Sequence, residues 1–337
     1  MRVIAGLVLA ICAATIVACG DSPPAAADTK EKGALGPGEG KLTVDGGEIW
    51  YKVSGVGTGI PVILVHGPGV NSYPLKPLEQ LGDDRKVVRY DQLGSGKSGA
   101  LTDTSKMDIA HLVGELEALR AKLGFNKVHV LGHAWGALLA LEYYRAHPEH
   151  VVSLTLSSPA LDAQQWERHA RELLKTLPDT MQRIVKHAEE AKKFDTPEYQ
   201  ATLRDFYMQY VSLRPARVDF DSTVKQMNDK VYNHMLGPSE FAITGTLKKY
   251  NATEYLRNVN VSTLFTVGDQ DQADTTTIKK LSALTPGSTV IIIPQAANMT
   301  MWDNPFALTD VIRTHLRFAD LREKLRAEDS AASRKKA

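Results

Sequence analysis

The run Gly132-His133-Ala134-Trp135-Gly136 brackets one central residue with two glycines, directly after a buried apolar stretch and directly before an apolar helical one. That is the strand–turn–helix context of a nucleophile elbow, G-x-S-x-G, whose glycines allow a turn too sharp for larger side chains. Such a turn serves acyl transfer. It lifts the central side chain to the sheet's edge and aims a helix N-terminus at the charge that develops there. Here the central residue is Ala134, and a methyl group cannot attack a carbonyl. The shape is written into the sequence without its nucleophile. Other chemistries find less support. Gly96-Lys97-Ser98 lacks the earlier glycine of a phosphate loop, because Asp91 stands there. No metal-ligand cluster and no cofactor motif is present, so neither metal nor cofactor is expected.

The elements around this turn read as α/β. Short β-rich runs at 47–53, 61–65, 86–90, 127–131, 151–156, 263–267 and 288–293 alternate with helical patterns. This predicts a mainly parallel sheet with helices on both faces. Several runs are continuously apolar, as strands covered on both sides must be. A helix is expected over 107–123, where Ile109, Leu112, Val113, Leu116, Leu119 and Leu123 form one stripe and Gly124 stops it. From 161 to 255 the strand pattern gives way to helical segments with scattered aromatics, including Trp166, Phe206, Tyr207, Tyr210 and Tyr232. An insertion of this kind is expected to cap the sheet's C-terminal edge, where open α/β sheets place ligands.

The ends read differently. Arg2 followed by the apolar run Val3–Val17 has the size of a signal-peptide core and is short for a spanning helix. Ile16-Val17-Ala18-Cys19-Gly20 resembles a bacterial lipobox, which predicts removal of residues 1–18 and diacylation of Cys19. Two or more acyl chains give stable anchoring. The expectation is therefore a cell-envelope protein held to a membrane by lipid. Residues 19–40, rich in Pro, Gly, Ala and charge, read as a flexible tether. Residues 41–160 and 256–320 are expected to form the core, and 321–337 a frayed helix followed by a tail. The only cysteines, Cys12 and Cys19, lie in the export segment, so the folded part has no disulfide and no thiol nucleophile. With 40 basic and 39 acidic residues, the charge balance gives no reason to expect a nucleic acid partner.

Six ordered motifs carry a resemblance. They are Val65-His66-Gly67-Pro68-Gly69, Tyr90-Asp91-Gln92-Leu93-Gly94-Ser95-Gly96-Lys97-Ser98, the elbow itself, Gly237-Pro238-Ser239-Glu240-Phe241, Thr244-Gly245-Thr246-Leu247-Lys248 and Met299-Thr300-Met301-Trp302-Asp303-Asn304-Pro305. Over about residues 41–320 the chain is similar to the proline iminopeptidases. Those are α/β-hydrolase-fold aminopeptidases that release N-terminal residues, preferentially proline. The resemblance implies a mainly parallel eight-stranded sheet with a helical cap.

It also implies where the site should lie, and there the chain departs from its family. The family's triad runs Ser, Asp, His along the chain. Its Ser aligns with Ala134, its Asp with Asp271 and its His with Asn298. An amide cannot take up a proton near neutral pH, so Asn298 cannot act as general base. Loss of the Ser or the His of such a triad costs on the order of 10⁶ in turnover. The oxyanion loop, implied at Gly67 and Gly69 with Trp135 beyond the elbow, is one glycine shorter than the family's H-G-G-P-G, which is expected to misplace a donor. Glu240 matches a carboxylate that recognises the substrate's α-ammonium group. Gln272 stands where a second carboxylate is expected, so capture of a cationic N-terminus should be weakened but kept. His133 and His66 are expected to be structural, with His133 turned away from the apex.

Two functional expectations follow. One is a hydrolase scaffold without catalysis, binding a peptide or small molecule with a free amino terminus. The other is a proline-releasing aminopeptidase in an inactivated form or with residual activity. An enzyme of different chemistry on the same scaffold lacks any supporting motif.

Overall fold

Runs of Val, Ile and Leu bounded by turn residues build one sheet of eight strands: β1 (Gly38–Val44), β2 (Gly47–Ser54), β3 (Gly59–Val65), β4 (Arg85–Asp91), β5 (Val128–His133), β6 (Val151–Ser157), β7 (Ser262–Gly268) and β8 (Thr289–Ile293). The computed structural model describes residues 36–336 except 102, 105, 106 and 215–221. The signal segment, Cys19 and the tether up to residue 35 lie outside the described residues. The strand order is β1-β2-β4-β3-β5-β6-β7-β8. β2 runs antiparallel to β1 and β4, and every other neighbouring pair is parallel. Every residue of β5, β6 and β7 is buried, because helices cover both faces.

Two expectations from the sequence are corrected. β1 begins at Gly38, inside the stretch read as tether, and pairs with β2 across a turn in which Gly46 takes φ +85°. It is an edge strand whose residues stay exposed or half-buried, so its sequence carries no apolar signature. The C-terminal stretch is neither frayed nor a tail: one helix runs unbroken from Pro305 to Lys336.

Helices pack on the sheet where apolar stripes allow it. α1 (Ile109–Lys122) is capped by Asp108, whose side chain accepts from the His111 N–H. α2 (Trp135–Ala146) is buried from Trp135 to Tyr144. Between β6 and β7 come α3 (Ala163–Leu174), α4 (Asp179–Ala191), α5 (Pro197–Tyr210) and α6 (Asp229–Met235). This insertion has its own core, in which Leu174, Val185, Tyr199, Phe206 and Phe241 pack together. α7 (Thr275–Leu284) joins β7 to β8, and α8 (Pro305–Lys336) closes the chain. Leu308, Ile312 and Leu316 of α8 pack on Val62, Leu64, Leu131 and Leu264 of the sheet. No helix among the described residues is long and apolar enough to cross a membrane.

The insertion is fastened to the loops that leave β7 and β8. The Tyr210 carbonyl accepts from the N–H groups of Gln272 (3.0 Å) and Asn298 (3.3 Å), and the Val211 carbonyl from Met299 (2.6 Å). Asp303 Oδ1 accepts from Ser212 Oγ, Leu213 N and Arg214 N, while its Oδ2 accepts from Ala297 N.

Candidate active site

β5 ends at His133 and α2 begins at Trp135, so Ala134 alone makes the corner, at φ 50° and ψ −119°. A non-glycine residue there holds about 1–3 kcal/mol of backbone strain. The flanking glycines are required by space. A Cβ on Gly132 would lie 2.2 Å from the Gly136 carbonyl, and one on Gly136 would lie 2.2 Å from the Val65 carbonyl. The corner is pinned by Ala134 N–H donating to the Ser157 carbonyl (2.9 Å). The Ala134 carbonyl in turn accepts from Ala137 and Ala160. Trp135 opens α2, so its N–H has no acceptor within the helix.

Asp271, in the loop after β7, is buried and accepts four hydrogen bonds. Oδ2 takes Ser158 Oγ (2.6 Å) and Gly268 N (3.1 Å); Oδ1 takes Ala273 N (2.7 Å) and Asn298 Nδ2 (3.0 Å). Burial nevertheless raises its pKa to about 6, against the lowering effect of these donors. In a working triad a protonating imidazole would face this carboxylate. Asn298 gives it a neutral amide. Ser158, fully buried and held at φ +46°, was not anticipated from the sequence: nothing in its neighbours marks a serine that will reach an acid 113 residues away.

His133 departs from expectation. Its ring does not turn away from the site but lies between Ser157, whose Oγ is 3.5 Å from Nδ1, and the side chain of Asn298. Nε2 is buried and makes no hydrogen bond of good geometry among the described residues. Burial lowers its pKa to about 4, so the ring is neutral at physiological pH.

The loop at 66–70 is tightly held. The Gln92 N–H donates to His66 Nε2 (3.1 Å), which makes that nitrogen the acceptor and places the proton on Nδ1, donating to the Gly67 carbonyl (2.7 Å). Gln92 Nε2 also donates to the His66 carbonyl (2.7 Å). With both ring nitrogens engaged, His66 is a brace. Gly67 lies against Trp135, whose Cβ would be 3.0 Å from an added Cβ. Gly69 takes φ +72°, and a Cβ there would strike the Tyr232 backbone N at 2.5 Å. Its carbonyl accepts from Asn228 N at the head of α6 (2.8 Å).

Glu240 is buried in the insertion. Oε2 accepts from Trp166 Nε1, and Oε1 from Tyr232 OH at 3.4 Å. Tyr207 and Tyr199 lie close enough to feel its charge, and Trp166 packs on Trp135, ring centroids 6.1 Å apart. Burial raises the Glu240 pKa. Gln272 is buried beside Asp271, its Oε1 without a hydrogen-bond partner among the described residues. Trp166 and Tyr232 were legible only as core-type aromatics; their partner, Glu240, lies 74 residues from Trp166.

The alpha/beta hydrolase fold family matches residues 60–305. The proline iminopeptidase of Heyndrickxia coagulans is 36% identical over 271 residues, covering 79% of this chain and 94% of that protein. The chain belongs to the proline iminopeptidase family of α/β hydrolases. A second relative, the proline iminopeptidase of Saccharolobus solfataricus, is 33% identical over 285 residues, covering 82% of this chain and 91% of its own. Among solved structures, the proline iminopeptidase of Mycobacterium smegmatis superposes with a TM-score of 0.78 at 27% identity, over 85% of this chain and all (100%) of that one. In this family member the elbow, the acid loop and the loop after β8 meet as the fold requires. Ala134 is joined through Ser157 and Ser158 to Asp271 and Asn298.

Proposed function

We propose that this chain is a ligand-binding member of its family that has lost acyl transfer. The observation that carries the reading is the methyl of Ala134 at the elbow's apex, with Asn298 spending its amide N–H on Asp271. No lone pair begins the reaction, and the residue facing the acid cannot carry a proton away. His133 does not replace it, being neutral, buried and without a nucleophile to activate. The shortened loop at Gly67 and Gly69 supports the same reading.

The binding half rests on Glu240. A buried carboxylate whose hydrogen-bond partners among the described residues are Trp166 and Tyr232, walled by aromatic rings, is suited to a ligand's ammonium group. The ligand class is a peptide or small molecule with a free amino terminus, consistent with relatives named proline iminopeptidases. Gln272 offers a neutral acceptor where a second charge would strengthen capture. The envelope location rests on the lipobox-like Ile16–Gly20, with Cys19 as lipid anchor.

The second reading is an aminopeptidase in an inactivated form or with residual activity. The strained backbone of Ala134 and the glycines at 132 and 136 favour it, since the corner's shape is kept. Proline arylamides separate residual activity from its loss, and proline amides test binding. The purified protein should release no arylamine above a heat-killed control, while proline amides raise its melting temperature and Glu240→Gln abolishes that rise. Steady turnover overturns the inactive reading. A shift that survives Glu240→Gln overturns the binding assignment.

A further inference from the structure

Every element packed against the buried carboxylate of Glu240 offers it a neutral group. α3 supplies Trp166 Nε1–H to Oε2, and α6 supplies the Tyr232 hydroxyl to Oε1 at 3.4 Å. α5 adds the phenols of Tyr199 and Tyr207, and Trp166 packs on Trp135 beside the elbow's apex. The charged groups nearby are committed elsewhere. Arg171 of α3, whose charge reaches the Tyr199 hydroxyl, is bound to Glu167 and Glu189, each at 3.1 Å. Asp271 bonds Ser158 and Asn298, His133 adjoins Ser157 and Asn298, and His66 is engaged with Gly67 and Gln92. Among the described residues no Lys, Arg or His pairs with Glu240. An anion buried without a cation takes up a proton instead.

The two oxygens are not equivalent places for that proton. An indole N–H only donates, so Oε2 must remain an acceptor. A phenol both donates and accepts, so Tyr232 can turn its hydroxyl and receive a hydrogen carried by Oε1. Glu240 is therefore able to be neutral while both neighbours stay paired. The Oε1 side is also where a cation gains most, because the contact to Tyr232 there is long. Burial favours the neutral acid against the two donors, which favour the anion.

We infer that the empty site holds Glu240 as a neutral acid with its proton on Oε1, and that a cationic ligand enters by exchange. The Oε1–H bond breaks, the ammonium pairs with the carboxylate left behind, and one proton leaves to solvent for each ligand bound. The exchange rests on the binding site proposed above and adds its regulation: acid empties the site, and an uncharged analogue cannot displace the proton.

The test titrates the purified protein with proline amide, which stays a cation from pH 5 to about 7. Affinity is expected to rise about tenfold per pH unit over that range, and calorimetry at pH 7 in buffers of different ionisation enthalpy to return about one proton released per ligand. Infrared difference spectra at pH 7 should show a protonated-carboxyl stretch in the unliganded protein that proline amide removes and N-acetylproline amide leaves unchanged. Glu240→Gln should lack this stretch. Glu240→Asp, which keeps the acid, should shift it and covers the case in which the amide variant fails to fold. No such stretch without ligand, a stretch that persists with proline amide bound, or an affinity that changes less than about twofold between pH 5 and 7 overturns the exchange. A stretch assigned to Glu240 with no binding of proline amide at any pH overturns the binding reading, and the exchange with it.

Discussion

Replacing Asp271 by Asn should change how the protein responds to acid, and the size of the change follows from its surroundings. Asp271 is buried with a pKa of about 6, against 3.8 for the exposed residue. Its folded value is raised, so the folded state holds a proton that the unfolded state has released. Stability from this group is therefore gained as pH falls from about 6 toward 4 and lost as pH rises through 6. His133 has the opposite sign. Its folded pKa is about 4 against 6.5, so its contribution is present above 6.5 and lost as pH falls toward 4.

At pH 5 each group differs by about 0.85–0.9 of a proton between the two states, giving opposing slopes of about 1.2 kcal/mol per pH unit that nearly cancel. Asp271→Asn removes one of them. The variant should lose stability about 1.2 kcal/mol per pH unit faster than the parent around pH 5, and about 2 kcal/mol in all between pH 6 and 4. Urea unfolding of both proteins at constant ionic strength, with slope and midpoint reported at each pH, measures this difference. The other buried histidines act equally in both and drop out. A parent-minus-variant difference that stays flat within about 0.5 kcal/mol, or that grows toward neutral pH, refutes the reasoning.

Two further outcomes are expected. Ala134→Ser/Asn298→His supplies the missing triad members but not the missing loop residue, so proline arylamide turnover should rise no more than about tenfold; a gain of about 10⁴ or more means the oxyanion site is sound. Ala134→Gly relieves the positive-φ strain, about 1–3 kcal/mol, and adds chain entropy to the unfolded state, about 0.5–1 kcal/mol, so denaturation should show a net gain between about zero and 2 kcal/mol. A loss of more than about 1 kcal/mol contradicts strain at that corner.

What could be read from the sequence was whatever depends on local pattern. β5, β6 and β7 are buried on both faces and announce themselves as unbroken apolar runs, and the elbow is legible because two glycines have no steric alternative. β1 stayed hidden because Gly38–Val44 is an exposed edge strand stabilised by its hairpin partner. α8 reads as a frayed end because Lys324 to Ser333 carry charges and small residues and are all exposed. At the site, Glu240 and Asp271 could be placed by motif. Ser158 and Trp166 could not, since each acquires its role from a carboxylate brought near by tertiary folding. The meeting of the His133 ring with Asn298 was likewise not legible, since tertiary folding alone brings the two together.

The corner at Ala134 has a meaning beyond this chain. Its awkward dihedral is kept with only a methyl at the apex, in a corner so close to β3 that a Cβ on Gly136 would lie 2.2 Å from the Val65 carbonyl. Geometry usually credited to catalysis is then also a matter of chain routing. A corner held by its flanking glycines keeps its shape whichever side chain stands at its apex.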